Sequence, residues 1–196
     1  LAPNHKQGLR LENPVMVASG CFGWGTEYAR VIDIQRLGAI ISKGTTLRPR
    51  RGNPMPRLAE TPAGMLNAIG LQNIGVRRVV AEKAPLWATW KVPVLVNVAG
   101  EVVEDFCECA RILDGVPGVA GIELNVSCPN IEAGGAVFAC DPASASDVTS
   151  AVRRCTALPL MVKLSPNVSD IAAIAVAVEE AGADCVSLIN TLVGMK

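Results

Sequence analysis

The sequence holds a single histidine, His5, and carries no surplus charge, since 18 basic groups balance 18 acidic ones. One histidine in a polar tail excludes a His-based catalytic triad and the usual His-containing metal site. Neutrality removes the clustered positive field that nucleic acid or an anionic membrane surface requires. No run approaches the roughly 18 apolar residues of a membrane span. The opening LAPNHKQGLR has no apolar stretch of the secretory kind and no initiator Met, so a trimmed start is expected. The seven cysteines lack the spacing of a disulfide framework or an iron–sulfur cluster. Together these absences predict a soluble, cytoplasmic protein of a reducing compartment, with no nucleic-acid partner, no membrane contact and no metal.

What is present is apolar material. Half of the 196 residues are hydrophobic, enough for one domain with a sizeable core. The dense basic stretch RPRRGNPMPR (48–57) is interleaved with Pro and Gly and reads as an irregular surface loop. Short apolar runs predict strands in PVMVASG (14–20), AIISKGTT (39–46), PVLVNVAG (93–100), GIELNVSCP (121–129), PLMVKLSP (159–166) and CVSLINT (185–191). Helical spacing is expected in TEYARVIDIQRLG (26–38), VRRVVAEKAPLW (76–87), VEDFCECARILDG (103–115), PASASDVTSAVRRCT (142–156) and VSDIAAIAVAVEEAG (168–182).

A repeated βα unit leaves two architectures, a closed barrel or an open doubly wound sheet. Polar residues sit at the C-terminal ends of all six predicted strands: Ser19, Lys43, Asn97, Asn125 with Cys128, Lys163 with Ser165, and Asn190 with Thr191. A barrel gathers every such end round one mouth, whereas an open sheet concentrates its contacts at one switch point. The expected fold class is therefore α/β, a (β/α)8 TIM barrel of which six βα strands appear in this chain. It is read as a single domain over 1–196, ending before the last two strands.

Lysines inside a crowded mouth need an anionic or electron-rich partner, which makes Lys43 and Lys163 candidate ligand contacts. Asn67, Asn97, Asn125, Asn130 and Asn190 each offer donors and an acceptor, the chemistry that matches a planar heterocycle alternating C=O and N–H. Cys128 is a thiol among polar loop residues, followed by Pro129 and by Gly134-Gly135, a pair able to hinge a lid, and it is a candidate base. Cys107, Cys109, Cys155 and Cys185 fall on helices or strand interiors, where Cys behaves as a small hydrophobe.

The blocks NPVMVASG, SKGTTLRPRRGNPMPRLAETPAGMLNAIGLQN, ELNVSCPN, VKLSPNVSDI and SLINTLVGM resemble the catalytic subunits of class 1, B-type dihydroorotate dehydrogenases along nearly the whole chain. KGTT with AETPAGMLNAIGLQN points to the NAD-dependent B type rather than the fumarate-using A type. The resemblance implies an FMN-binding barrel that oxidises (S)-dihydroorotate to orotate in pyrimidine (UMP) biosynthesis. It places the catalytic base on Cys128. It implies flavin contacts at Ser19, Lys43, Gly44, Asn97, Asn125, Lys163 and Ile189. Substrate contacts follow at Lys43, Asn67, Ala68, Ile69, Gly70, Leu71, Asn125, Asn130, Asn190 and Thr191. Electrons would leave through a partner subunit carrying FAD and a [2Fe-2S] cluster to NAD, in a hetero-oligomer containing a catalytic dimer. Cys21 and Ala139-Cys140 depart from the pattern, where Thr-type and Gly-Thr-type residues are expected. Two other readings use the same residues: a Schiff-base lyase with Lys163 or Lys43 as nucleophile, and a non-catalytic piece that binds the partner subunit.

Overall fold

Each of the six predicted strands forms, shorter than its apolar run. The computed structural model describes residues 8–127 and 138–195. β1 (Met16–Val17) and β2 (Ala39–Ile41) are followed by a hairpin of β3 (Leu58–Thr61) and β4 (Gly64–Asn67). Then come α1 (Val76–Glu82), α2 (Ala84–Trp87), β5 (Val94–Val98), α3 (Val103–Leu113), β6 (Gly121–Asn125), α4 (Pro142–Arg153), β7 (Leu160–Lys163), α5 (Ile171–Glu180) and β8 (Cys185–Ser187). The main sheet runs β1-β2-β5-β6-β7-β8, parallel throughout. Apart from the inserted hairpin, sheet order follows chain order, so there is no switch point. The fold is α/β, the wall of a barrel with helices on its outer face.

Strand alternation sorts the apolar side chains into two layers. Ile40, Val94, Val96, Val98, Ile122, Leu124, Leu160 and Val162 join the helices in one large buried cluster. Ala39, Ile41, Leu95 and Met161 face the other way and, with Leu9 from the N-terminal segment, fill a separate small cluster inside the wall. α3 shows why its segment is helical: Phe106, Cys109, Ala110 and Leu113 are spaced to fall on one face, and all four are buried. Burying each large side chain contributes roughly 1.5–3 kcal/mol. Burial also pushes the Cys109 thiol up to about 12 and those of Cys107 and Cys185 to about 11, which keeps them protonated as small hydrophobes.

One expectation needs correction, and one element was not foreseen. Residues 26–38 do not form one helix; they make successive turns and a single 3₁₀ turn at Ile34–Arg36. The Asp33 side chain caps the Gln35 amide and restarts the chain, and Val31 and Ile32 point to solvent rather than supplying a buried face. The β3–β4 hairpin went unanticipated because it is largely exposed, so neither face carries a buried apolar stripe. The basic stretch 48–57 is irregular, as expected. Among the described residues, no helix is long and apolar enough to cross a membrane.

Candidate functional site

Along the inward face of the wall, the side chains change character toward the strands' C-terminal ends. Leu95 and Met161 lie at the level of the small apolar cluster, packed with Cys185, while one step further stand Asn97, Asn125, Lys163 and Ser187. The register pairs Asn97 with Glu123, and Asn125 with Lys163 and then Ser187, across four adjacent strands. Asn97, Glu123, Asn125 and Lys163 are all buried, Lys163 with only 9% of its surface exposed.

Glu123, which the sequence reading passed over, ties this layer together. Its Oε2 accepts from Asn97 Nδ2 at 2.5 Å and its Oε1 from Ser187 Oγ at 2.8 Å. The opposite end of the Asn97 carboxamide, Oδ1, is buried without a hydrogen-bond partner among the described residues. An unmet buried acceptor costs about 1–3 kcal/mol, which a ligand donor would recover. A Cβ added to Gly44 would stand 3.1 Å from that oxygen and 3.3 Å from Leu71 Cδ2. Gly44 is thus packed closely enough that any larger residue would crowd Asn97 and Leu71.

Two loops converge there. The loop after β1 is fastened by the Lys43 amide, which donates to the Gly23 carbonyl at 2.8 Å. This brings half-buried Ser19 and exposed Cys21 to the same end of the wall as Lys43. Burial, and next the neighbouring Arg57 guanidinium, lower the Lys43 pKa from its ordinary value, while Cys21 opposes the shift. The second loop carries the run Asn67–Leu71 out of the hairpin. Asn67 itself ends β4 and is exposed, not at a strand end of the main sheet. Gly70 and Leu71 both adopt positive φ, 73° and 52°, a costly conformation for Leu71. Asn73 holds that bend: its Nδ2 donates to the Leu71 carbonyl at 2.7 Å and its Oδ1 accepts from the Gly75 amide at 2.8 Å.

Beyond β8, Asn190 donates from Nδ2 to Asn125 Oδ1 at 3.0 Å, and its own Oδ1 accepts from the Thr191 amide at 2.7 Å. Asn125 Oδ1 accepts also from the Ser127 amide, which leaves Nδ2 as the donating end of that carboxamide. Asn167 pins the following segment through the Thr191 carbonyl and the Val193 amide. Ile189 is exposed beside it. Cys128, Asn130 and the Gly134-Gly135 pair lie outside the described residues. A cavity of about 380 Å³ lined by Leu47, Arg48, Ile74, Arg77, Arg78 and Glu108 involves none of these groups. The acceptor at Asn97, the side-chain-free backbone at Gly44 and the nearby ammonium groups fit a planar, polar, anionic cofactor such as a flavin nucleotide.

Residues 4–196 match the family model described as dihydroorotate dehydrogenase. The chain is 55% identical over 188 residues to the "Dihydroorotate dehydrogenase B (NAD(+)), catalytic subunit" of Pelobacter propionicus, covering 96% of this chain and 62% of that protein. The protein of the same name from Geotalea daltonii is 54% identical over 188 residues, with coverage of 96% and 62%. That of Geobacillus kaustophilus is 53% identical over 189 residues, with coverage of 96% and 60%. The chain therefore spans about three-fifths of the length of the curated relatives it matches. With the match running through the strand ends as well as the core, the chain belongs to the dihydroorotate dehydrogenase family.

Proposed function

We propose that this chain is the FMN-binding barrel domain, over 1–196, of an enzyme that oxidises (S)-dihydroorotate to orotate. Its electrons pass through a partner subunit carrying FAD and [2Fe-2S] to NAD. The observation that carries the reading is the buried Asn97 Oδ1 beside Gly44, without a partner among the described residues, within a layer of carboxamides and a lysine at the strand ends. The names of the relatives support the NAD-linked form and a separate partner subunit.

In this reading Ser19, Lys43, Gly44, Asn97, Asn125, Lys163 and Ile189 hold the flavin, which when bound supplies a two-electron acceptor. Asn67 to Leu71, Asn125, Asn130, Asn190 and Thr191 hold the substrate with Lys43. Cys128 removes the proton from the carbon next to the ring carbonyl as hydride leaves the neighbouring carbon and the double bond forms. The Lys163 ammonium provides positive charge where negative charge develops in the reaction. Anaerobic mixing of the flavin-loaded protein with dihydroorotate should bleach the flavin absorbance and release one orotate per flavin. NAD reduction should begin only when the partner subunit is added. An unbleached spectrum, or NAD reduction by the catalytic chain alone, would contradict the proposal.

A second expectation follows from Lys43. Because its pKa is lowered by burial and by Arg57, the ammonium is lost at lower pH than in an exposed lysine. An anionic ligand favours the charged form, so orotate binding should weaken as pH climbs through that lowered value. Lys43→Arg keeps its charge at high pH and should flatten this part of the profile. Orotate titrations of both proteins between about pH 7 and pH 10 check it. Parallel profiles would remove Lys43 from the site.

A further inference from the structure

We propose that Glu123 is a positioning residue that fixes the hydrogen-bonding sense of Asn97, turning an acceptor rather than a donor toward the bound flavin. The inference rests on the flavin reading above and adds a residue that touches no ligand itself. A carboxylate only accepts hydrogen bonds, so Asn97 can offer it only Nδ2. The reversed carboxamide would set two oxygens face to face at 2.5 Å. Glu123 is in turn held by the Ser187 hydroxyl from β8, so residues on β5, β6 and β8 fix one carboxamide rotamer. The Oδ1, without a partner among the described residues, then lies beside the side-chain-free backbone of Gly44, 3.1 Å from where a Cβ there would stand, and the cofactor would present an N–H or O–H donor to it. A lone asparagine could rotate to suit either sense; the buried glutamate removes that choice before the ligand arrives.

The test is the dissociation constant for FMN, read from quenching of flavin fluorescence by the native apoprotein, in a double-mutant cycle. Asn97→Ala and Glu123→Ala should each weaken FMN binding about tenfold, and Glu123→Ala should add less than about twofold in the Asn97→Ala background. Glu123→Gln should stay within about threefold of wild type, because its Oε1 still accepts from Asn97 Nδ2 while its amide donates to Ser187 Oγ. If Glu123→Ala does not fold, Ser187→Ala carries the test: a loss of about threefold in wild type that disappears in the Asn97→Ala background. Losses that simply multiply, or a Glu123→Ala protein that binds FMN like wild type, would overturn the positioning role and leave the flavin reading standing. Failure of wild type to bind FMN at all would overturn both.

Discussion

Replacing Cys128 by serine is expected to leave FMN bound and to slow flavin reduction by dihydroorotate by about 10²- to 10⁴-fold, the usual contribution of a general base. Serine keeps the size and the hydrogen bonding but exchanges a group with an ordinary pKa near 8.5 for a hydroxyl that ionises far less readily. The residual rate should therefore climb steeply with pH. In sequence Cys128 follows Ser127, whose amide is bonded to Asn125 Oδ1 at the exit of a strand that carries Glu123 and Asn125 inward. A packing residue would behave differently. Serine would then lower stability by about 1 kcal/mol and leave turnover per folded molecule near normal. Anaerobic reduction at several pH values, with wild type and Cys128→Ser at equal flavin content, separates the two. Equal rates across the range would take Cys128 out of the mechanism.

The sequence made the strands legible because a parallel strand covered on both faces is a continuous apolar run, and VLVNV and GIELN are buried at every position. The same burial hid Glu123. In GIELN it reads as one charge in an apolar run, and its partners Asn97 and Ser187 lie 26 and 64 residues away in sequence. Only sheet order brings them together. The signal available was the charge itself, since a glutamate in a run that must be buried needs partners. Asn73 escaped notice for a related reason: its work is local, on the Leu71 carbonyl and the Gly75 amide, and depends on a backbone bend that no side-chain pattern announces.

Asparagines were legible as a group, but their hydrogen-bonding sense was not. Asn97 and Asn125 stand near the ends of adjacent strands, yet Asn125 spends its oxygen on Asn190 and Ser127 whereas Asn97 spends its nitrogen on Glu123. One therefore keeps a donor to offer and the other an acceptor. A ring edge that alternates C=O and N–H can satisfy both at once, and a symmetric apolar ligand can satisfy neither.

The largest expected loss of stability lies at the other end of the barrel. Asp184 precedes β8, and its Oδ2 accepts from Arg153 Nη1 at 3.0 Å and from the Leu160 amide at 2.8 Å. Arg153 Nη2 donates in addition to the carbonyls of Thr156 and Leu158 at 2.5 and 2.8 Å. One ion pair thus joins the last turn of α4 to the starts of β7 and β8. The Asp184 side chain is 9% exposed and that of Arg153 23%. Asp184→Ala removes the carboxylate paired with the guanidinium, leaving it the more distant Asp114, and leaves a strand amide without its acceptor. Breaking a buried pair costs about 3–5 kcal/mol, and the partial exposure of Arg153 places this one near 3 kcal/mol. Asp184→Asn keeps an acceptor for the Leu160 amide and should cost about half as much. Because strand starts lie opposite the mouth, whatever fraction remains folded should bind FMN with normal affinity. Urea unfolding together with flavin titration of the folded protein measures both quantities. A loss below about 1 kcal/mol would show the pair to be no stronger than a surface bridge, and a stable Asp184→Ala protein with weakened flavin binding would show that the two ends of the barrel are coupled.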